Sequence, residues 1–332
     1  MAVLVTGCAG FIGARVCTAL LAEGHRVIGI DNLADAYDVR LKEWRLFELR
    51  RTSQFVFAHQ DIRDEEDLEK LFGTHRFDAV VNLAALAGVR QSILIPRAYY
   101  ETNVKGTQNL LELCCKYRVG KLVLASTSSL YSGPRRAFKE DDPLDLPRSP
   151  YASSKKAAET SCYTYHCLFG LDVTVFRYFS VYGPAGRPDM SIFRLIRWIA
   201  EGDEVVIYGE GTQERDFTFV DDVARGTVLG LKPLGYEVIN LGNDRPVPLR
   251  RVVALLESML GRKAKLRYEP AHPADAHATW ANISKAQALL GWSPRTSLEQ
   301  GLQVAIDWYV RNRSWASKIS TSDAAAAASL HG

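Results

Sequence analysis

The sequence lacks several features that would assign it to a specialised class. No stretch approaches the about 18 uninterrupted apolar residues of a membrane-spanning helix, and Met1 leads directly into an apolar run rather than a signal peptide. The six cysteines form no CxxC pair and are joined by no histidine cluster, which argues against a metal site and a disulfide framework. We therefore predict free thiols, a reducing cytoplasmic location, no membrane partner and no metal.

Charge of one sign is also scarce. Lysine and arginine total 41 against 38 acidic residues, which gives a net charge of +3. A balance this close to neutral argues against a dedicated nucleic-acid surface, which shows a concentrated basic stripe. With 47% hydrophobic and 24% charged residues over 332 positions, the composition predicts a globular protein of one large or two modest domains.

Short apolar runs alternate with longer amphipathic segments through the first half of the chain. The predicted strands are Val3–Thr6, Arg26–Asp31, Phe55–Ala58, Ala79–Leu83, Lys121–Ser126 and Val173–Tyr178. The helices predicted between them are Gly13–Glu23, Leu41–Leu49, Glu65–Phe72, Pro96–Tyr117 and Tyr151–Phe169. This alternation predicts an α/β fold with a doubly wound parallel sheet of the Rossmann type.

The pattern becomes less regular after about residue 183. We predict a Rossmann domain over residues 1–180 and a smaller C-terminal α/β domain over 181–312 that binds the substrate. A strand near 238–241 is expected to return to the first sheet. Residues 313–332 end in a low-complexity run of alanines and are predicted to form a flexible tail.

Three glycines follow the first predicted strand, in the stretch VLVTGCAGFIG. Gly7 suits a tight turn, Gly10 lets the backbone approach a pyrophosphate, and Gly13 lets the next helix pack on the sheet. The free N–H groups at the start of that helix attract phosphate. The following strand ends in Asp31, whose carboxylate suits the ribose hydroxyls of NAD and would repel the 2′-phosphate of NADP.

Other strand ends fit the same dinucleotide. Asp61 follows the third strand and is placed to reach the adenine amino group, while small residues after the fourth strand leave room for the cofactor. The cofactor-binding residues that we predict for NAD are Gly7, Gly10, Phe11, Ile12, Gly13, Asp31, Asn32, Asp61, Ile62, Leu83, Ala84, Ala85, Asn103, Tyr151, Lys155 and Tyr178.

Tyr151 and Lys155 are spaced four residues apart in a predicted helix. Residues at this spacing share one helix face, so the lysine charge is expected to lower the pKa of the phenol. A tyrosine with a lowered pKa accepts a proton from a sugar hydroxyl while a hydride leaves for the nicotinamide. The spacing is common by chance, but it gains weight behind a dinucleotide-binding pattern.

Hydroxyl side chains cluster at the end of the preceding strand. Thr127, Ser128 and Ser129 are expected to face the crevice in which doubly wound sheets bind ligands. One of them would bridge the substrate hydroxyl and the Tyr151 phenol. Spacing alone does not decide which, although we favour Thr127.

Taken together, these motifs resemble the extended short-chain dehydrogenases/reductases that act on nucleotide sugars. The resemblance spans roughly residues 1–312 and is carried by TGCAGFIG, the Tyr151–Lys155 pair, RYFSVYGP and RDFTFVDD. Three finer segments, IDNLADAYDVRLKE, AGVR and GRPDM, resemble the UDP-glucuronate 4-epimerases.

The resemblance implies a set of site residues. It implies catalysis by Tyr151 and Lys155 with assistance from Thr127, Ser128 and Ser129. It implies substrate binding by Arg90, Ser180, Arg187, Arg215 and Asp275. Within that set, Arg187 is expected near the sugar carboxylate and Arg215 on the UDP pyrophosphate, because the planar guanidinium recognises both groups bidentately.

The reaction that the resemblance implies is a transient oxidation at C4″ with no net redox change. Tyr151 removes the hydroxyl proton, a hydride is transferred to NAD, and the 4-keto sugar turns over before the hydride returns to its opposite face. With glucuronate the 4-keto sugar is a β-keto acid that readily loses carbon dioxide. Arg187 and the hydroxyl cluster are candidates for restraining the carboxylate.

Three alternatives remain at this level. A neutral-sugar epimerase acting on UDP-glucose or UDP-N-acetylglucosamine would not need Arg187. UDP-glucuronate decarboxylases resemble the chain but carry a glutamate just after the strand-end Ser/Thr pair, where this chain has serine. An NAD-sensing protein would typically have lost the tyrosine or the lysine. The resemblance further implies a homodimer, and the helices 96–117 and 151–169 carry enough apolar residues to form the intersubunit four-helix bundle of such relatives.

Overall fold

The computed structural model describes residues 1–132, 136–270 and 278–321. Its strands are β1 (Ala2–Thr6), β2 (Arg26–Asp31), β3 (Phe55–His59), β4 (Ala79–Asn82), β5 (Lys121–Thr127), β6 (Ala137–Phe138), β7 (Asp172–Tyr178), β8 (Ser180–Tyr182), β9 (Glu204–Tyr208), β10 (Glu214–Phe219), β11 (Tyr236–Leu241), β12 (Pro246–Pro248), β13 (Lys265–Glu269) and β14 (Ala278–Ala281).

The helices alternate with these strands in the first half of the chain. They are α1 (Phe11–Ala22), α2 (Arg40–Arg50), α3 (Glu65–Thr74), α4 (Val89–Leu94), α5 (Pro96–Tyr100), α6 (Gly106–Lys116), α7 (Pro150–Phe169), α8 (Ser191–Glu201), α9 (Val220–Leu229), α10 (Leu249–Leu260), α11 (Ser284–Leu290), α12 (Leu298–Arg311) and α13 (Arg313–Ala316).

Seven parallel strands form the main sheet, in the order β11-β7-β5-β4-β1-β2-β3. The predicted doubly wound parallel sheet is therefore confirmed. β11 pairs with β7 at the position predicted for the returning strand. Apolar side chains cover both faces of the sheet, which explains why β5 is buried along its whole length.

The C-terminal half builds a second, smaller unit with its own apolar core. Its strands form the order β12-β10-β14-β6 with β8 beside β10, and a separate pair of β9 and β13. β6, β8, β10, β12 and β14 were not predicted. Three of them, β6, β8 and β12, have only two or three residues, which carry too little pattern to be recognised. The boundary at residue 180 remains a prediction.

The predicted tail begins too early. Residues 313–316 form α13, and Ala316 and Ile319 are fully buried against the second core. Apolar packing therefore continues through this segment. Residues 322–332, with the run of alanines, lie outside the described residues.

The helix predicted over Pro96–Tyr117 is interrupted in its regular hydrogen bonding. α5 and α6 are joined by a π-helical turn over Glu101–Lys105. Asn103, in this turn, donates from Nδ2 to the Leu86 carbonyl and to Ser154 Oγ, each at 3.0 Å. The turn therefore directs one amide at both the loop after β4 and helix α7, which is a common use of π-helical turns near functional sites.

Candidate active site

One large cleft opens at the carboxyl ends of the main strands. β1 and β4 are neighbours in the sheet, although β2 and β3 come between them in the chain. The strand order therefore reverses between β1 and β4, which is where doubly wound sheets bind ligands. The cleft has a volume of about 1450 Å³ and extends from the glycine segment to side chains of β8, β9 and β10. The main sheet, the sheet of β8 and β10 and the β9–β13 pair therefore all contribute to its wall.

The glycine segment forms a tight cradle at one end of the cleft. A Cβ at Gly7 would lie 2.8 Å from the Ala84 nitrogen, and φ at Gly7 is +67°. A Cβ at Gly10 or Gly13 would lie 2.9 Å or 2.0 Å from the Gly7 carbonyl oxygen. Because Gly10 caps α1 without a side-chain oxygen, first-turn N–H groups remain available for a phosphate. The cradle fits a dinucleotide.

Asp31 ends β2 beside this cradle. Its carboxylate accepts hydrogen bonds from the backbone N–H groups of Ala9 at 3.1 Å and Leu33 at 2.8 Å. The Nζ of Lys42 lies 3.2 Å from Oδ1 in a buried ion pair. Sequence analysis did not single out Lys42, although the residue lies in the segment that carries the finer resemblance.

Asp61 and Asn32 lie together at the end of the cleft where we predict that the adenine binds. Asn32 Nδ2 donates to Asp61 Oδ2 at 2.8 Å, and Arg63 forms three hydrogen bonds to the same carboxylate, one from its backbone N–H and two from its guanidinium. These bonds outweigh burial and lower the pKa of Asp61 to about 2. Asp61 is therefore a charged acceptor on the cleft wall, next to the side chain of Ile62.

Six further residues that we predicted to bind the cofactor line the cleft, namely Phe11, Ile12, Leu83, Ala84, Ala85 and Tyr178. The loop after β4 is anchored by Thr6, whose Oγ1 accepts from the Ala84 nitrogen at 3.0 Å. Asn103 lies behind the cleft rather than on its wall. It is 1% exposed, and its Oδ1 accepts from the Leu86 nitrogen at 2.9 Å. Its role in the structure is thus to support the loop after β4.

Tyr151 and Lys155 both line the cleft from the first turns of α7. The helix begins with Ser149 as N-cap, whose side chain accepts from the Ala152 nitrogen, and Pro150 follows in the first turn. Lys155 is 3% exposed. The Tyr151 ring packs edge-on against Tyr99 with a centroid separation of 6.1 Å. Sequence analysis did not identify Tyr99.

The pKa of Tyr151 does not shift as predicted. Burial raises it, while a hydrogen bond to the Thr127 side chain and the charge of Arg187 lower it. Among the described residues, the groups that shift this pKa do not include Lys155. Burial also lowers the pKa of Lys155 to about 8, opposed by Glu159 and Cys162. Loss of water is the largest influence on both pKa values, with Lys155 buried and Tyr151 partly buried in the wall of the cleft.

The hydroxyl cluster lies where β5 ends. Thr127 Oγ1 accepts from the Ser129 nitrogen at 3.1 Å and caps a short 3₁₀ turn over Ser128–Leu130. All three predicted hydroxyl residues line the cleft. Of these three residues, Thr127 is the one whose side chain shifts the pKa of Tyr151. This contact favours Thr127 as the central hydroxyl.

Arg187 lies in the cleft with its guanidinium on a neighbouring carboxylate. Nε and Nη2 donate to the two Asp189 oxygens at 3.0 Å and 2.6 Å, and Nη2 also donates to the Ala87 carbonyl at 3.2 Å. The guanidinium lies 5.6 Å from the centre of the Tyr37 ring. Asp189 therefore already occupies the Nε–Nη2 edge of the guanidinium, which could otherwise bind a carboxylate.

The remaining predicted substrate residues lie toward the second sheet. Arg90, Ser180 and Arg215 all line the cleft. Arg90 stacks over the Tyr208 ring at 4.2 Å, and Arg215 donates to the Glu214 carbonyl at 2.8 Å. Asp275 lies outside the described residues. The described part of the chain holds no cluster of candidate metal ligands and no helix long and apolar enough to cross a membrane.

A doubly wound sheet with a glycine cradle after β1 and a Tyr–Lys pair on α7 is the architecture of an extended short-chain dehydrogenase/reductase. The chain belongs to the NAD dependent epimerase/dehydratase family, whose model matches residues 3–242. It is thus an NAD-dependent enzyme, in agreement with the dinucleotide cradle.

Individual relatives are similar over almost the whole chain. UDP-glucuronate 4-epimerase of Thermodesulfobacterium geofontis is 54% identical, over 93% of this chain and 96% of the relative. The Bacillus cereus UDP-glucuronic acid 4-epimerase in complex with UDP-glucuronic acid and NAD has a TM-score of 0.88 at 39% identity, with coverage of 94% and 100%. The Thermotoga maritima UDP-glucose 4-epimerase with UDP-glucose has a TM-score of 0.87 at 33% identity, also with coverage of 94% and 100%.

Proposed function

We propose that the protein catalyses the NAD-dependent 4-epimerisation of UDP-glucuronate to UDP-galacturonate. The observation that carries this proposal is the juxtaposition of Tyr151, its hydrogen-bond partner Thr127 and the charge of Arg187 in one cleft. A proton acceptor, a relay hydroxyl and a cation beside it are the groups that a 4-hydroxyl next to a carboxylate requires. The identity of 54% to a UDP-glucuronate 4-epimerase supports the same substrate.

The glycine cradle, Asp31 and the Asn32–Asp61 pair would hold NAD along the cofactor end of the cleft. The cradle would bind the diphosphate of NAD through the N–H groups at the start of α1, and the Asp31 carboxylate would accept hydrogen bonds from the ribose hydroxyls. The chemistry that NAD supplies when bound is the reversible acceptance of a hydride from C4″. Lys155 and Tyr178 complete the wall on the nicotinamide side in this proposal.

Tyr151 is proposed as the acid/base. Its phenolate would take the C4″ hydroxyl proton, directly or through Thr127, and return it after the 4-keto sugar has turned over. Thr127 would hold the substrate hydroxyl and the phenol in line, because it already hydrogen-bonds Tyr151. Lys155 would contribute a positive charge that favours the phenolate when NAD and the UDP-sugar are both bound.

The carboxylate of the 4-keto acid must be restrained to prevent decarboxylation. Ser128 and Ser129 offer hydroxyl donors at the end of β5, and Ser180 offers one at the start of β8. Arg187 would add its charge, either through Nη1 or by exchanging Asp189 for the substrate carboxylate. A carboxylate held in the plane of the ring carbonyl cannot align its C–C bond with the carbonyl π system, so carbon dioxide is retained.

The two diphosphate charges of UDP would be met at the far end of the cleft. Arg215 lies on β10 and Arg90 at the start of α4, and both side chains line the cleft. Arginine suits this role because its planar fork binds phosphate oxygens in pairs. Asp275 remains a proposed substrate contact.

The second candidate is a neutral-sugar 4-epimerase acting on UDP-glucose or UDP-N-acetylglucosamine. One observation favours it: both Nε and Nη2 of Arg187 are paired with Asp189, so its charge is already offset. The similarity to the Thermotoga maritima UDP-glucose 4-epimerase is compatible with this substrate. A UDP-glucuronate decarboxylase is disfavoured because Ser128 stands where an acid would be needed.

A homodimer in the cytoplasm is proposed for the working enzyme. Exposed apolar side chains lie on α7 and α5, namely Tyr163, Leu168, Phe169 and Tyr100. A second copy packing its own α7 on this surface would bury them in a four-helix arrangement. All six cysteines are free, which suits a reducing compartment.

The test is product analysis by NMR after purified protein is incubated with UDP-glucuronate and no added cofactor. UDP-galacturonate is the expected product and would show that NAD remains bound through purification. UDP-xylose or a 4-keto pentose would mean that the carboxylate is not restrained. No reaction, followed by conversion of UDP-glucose or UDP-N-acetylglucosamine, would support the neutral-sugar candidate.

A further inference from the structure

A buried charged pair lies behind the Tyr151–Lys155 pair and has no part in the proton and hydride transfers proposed above. Glu159 of α7 and Arg177 of β7 are each 3% exposed. Arg177 donates from Nε to Glu159 Oε1 at 3.0 Å and from Nη2 to Oε2 at 2.8 Å. Burying two charges is costly, so a pair in this position calls for an explanation beyond stability.

Glu159 is also bonded to the strand that carries the hydroxyl cluster. Ser126 Oγ donates to Glu159 Oε1 at 2.5 Å. Ser126 immediately precedes Thr127 and is the register neighbour of Arg177 across β5 and β7. One carboxylate therefore ties α7 to the carboxyl ends of both strands.

The same carboxylate acts on Lys155. Tyr151, Lys155 and Glu159 are spaced by four residues, so they form one row on a single face of α7. The charge of Glu159 raises the pKa of Lys155 against the lowering effect of burial. Removing that charge would leave the lowering effect of burial on the Lys155 pKa opposed by Cys162 alone.

We propose that Glu159 is a positioning residue for the proposed epimerisation. It holds the Ser126–Thr127 strand end in register with Tyr151 and keeps Lys155 charged. The proposal rests on Tyr151 and Lys155 acting as assigned above, and it extends that assignment to a third residue of the same helix face. Arg177 is the counter-charge that pairs with this buried carboxylate.

Other titratable groups surround this part of α7. Cys162 on the same helix raises the pKa of Lys155 less than Glu159 does. Beyond Arg177, the network continues to Tyr131, whose hydroxyl accepts from Nη1 at 2.9 Å and donates to Asn240 at 2.7 Å. Tyr99 of α5 faces Tyr151. Of these groups only Glu159 is an acid within the row.

The test is the pH dependence of turnover in Glu159→Gln, using whichever UDP-sugar the unmodified protein converts. Glutamine keeps an oxygen for Ser126 and loses the charge. The alkaline limb of the pH profile should move to lower pH by about one unit or more, because Lys155 then deprotonates more readily. Glu159→Asp should restore part of the shift. The double variant Glu159→Gln with Arg177→Gln should show a smaller shift, since both charges are gone.

A matched control is available on the same two strands. Lys121 of β5 and Asp172 of β7 form a largely buried ion pair at the opposite end of the sheet. Asp172→Asn should lower stability without moving the pH profile. If Glu159→Gln fails to fold, Ser126→Ala removes only the bond to the strand end and should lower kcat at least tenfold.

The outcomes separate this proposal from the proposed function. An unchanged alkaline limb in Glu159→Gln, or a shift equalled by Asp172→Asn, would overturn the positioning role while leaving the epimerase assignment in place. If the unmodified protein converts no UDP-sugar, NAD release measured between pH 6 and 9 replaces turnover as the readout. A loss of NAD at lower pH in Glu159→Gln is then the expected result, and identical release overturns the proposal.

Discussion

Opposing influences act on single side chains in the wall of the cleft. Burial raises the pKa of Tyr151 and lowers that of Lys155 to about 8. Thr127 and Arg187 work against burial at Tyr151. At the scale of the residue, reactivity therefore depends on which neighbours offset the loss of water.

Replacing Thr127 with valine should shift the rising limb of the kcat/KM profile to higher pH. The hydrogen bond from Thr127 lowers the pKa of Tyr151, so its loss raises that pKa and reduces the phenolate fraction about tenfold per unit. We expect a drop of about 10- to 100-fold at pH 7. Ser128→Ala and Ser129→Ala, measured in parallel, should leave that limb in place. A shift in either instead would identify a different central hydroxyl.

Replacing Lys155 with methionine should stabilise the protein and abolish turnover. Burial lowers the pKa of Lys155 in the folded state to about 8, below the ordinary lysine value of 10.5, so folding disfavours the charged form at neutral pH. The gain in unfolding free energy, roughly 1 to 3 kcal/mol, should be full below pH 8 and disappear as the pH rises toward 10.5. Denaturant melts at pH 7 and pH 10 measure it. Equal effects at both pH values would contradict the burial argument.

Replacing Arg187 with glutamine should change the products from UDP-glucuronate. Without the positive charge, carbon dioxide loss should compete with hydride return, and the pKa of Tyr151 should rise. NMR should detect a decarboxylated pentose product beside UDP-galacturonate. Asp189→Asn frees the guanidinium and is the matched control, expected to retain the carboxylate. If R187Q yields UDP-galacturonate alone, the restraint lies in the hydroxyl cluster.

At the scale of the element, one arginine joins two loops of the cleft. Arg45 on α2 is 3% exposed and donates to the Ala9 carbonyl at 3.0 Å and to the Ala185 carbonyl at 2.6 Å. Ala9 lies in the glycine segment, and Ala185 precedes Arg187 in a left-handed conformation with φ of 51°. The helix α2 therefore links the glycine segment to the loop that carries Arg187.

Replacing Arg45 with methionine should weaken both loops together. The carbonyls of Ala9 and Ala185 would lose their donors, at a cost of about 2–4 kcal/mol in unfolding free energy. We also expect a higher KM for the sugar and loss of NAD during purification. Arg40→Met on the same helix breaks an exposed ion pair with Asp38 and an exposed hydrogen bond to the Lys318 carbonyl, and should cost less than about 1 kcal/mol. Similar losses in both variants would refute the link.

At the scale of the whole molecule, an apolar surface lies on the outside of α7. Tyr163, Leu168 and Phe169 are 54%, 68% and 61% exposed. Large exposed apolar side chains grouped on one helix are typical of a protein–protein interface. A second copy of the chain is the occupant that we propose.

Replacing Tyr163 and Phe169 together with glutamate should yield a monomer. Four buried carboxylates in a symmetric interface would repel one another and remain unpaired. Light scattering coupled to size exclusion gives the mass directly. Val310→Glu on α12, where the side chain is 56% exposed, is the control and should leave the mass unchanged. A monomeric unmodified protein would disprove the dimer.

The sequence by itself determined the parts of this protein that depend on local pattern. The βα alternation predicted the parallel sheet, the glycine spacing predicted the cradle, and the four-residue spacing placed Tyr151 and Lys155 on one face. These patterns work because backbone geometry fixes the period of each element. The family assignment follows from the same motifs.

Only the tertiary structure decided what surrounds each of these groups. Burial raises the pKa of Tyr151, whereas the sequence predicted that it would be lowered. The guanidinium of Arg187 forms an ion pair with Asp189, which the sequence did not predict. Asn103 lies behind the cleft wall, where it supports the loop after β4, and Glu159 joins α7 to the ends of β5 and β7. Desolvation and pairing depend on residues far apart in the chain, so no local pattern contains them.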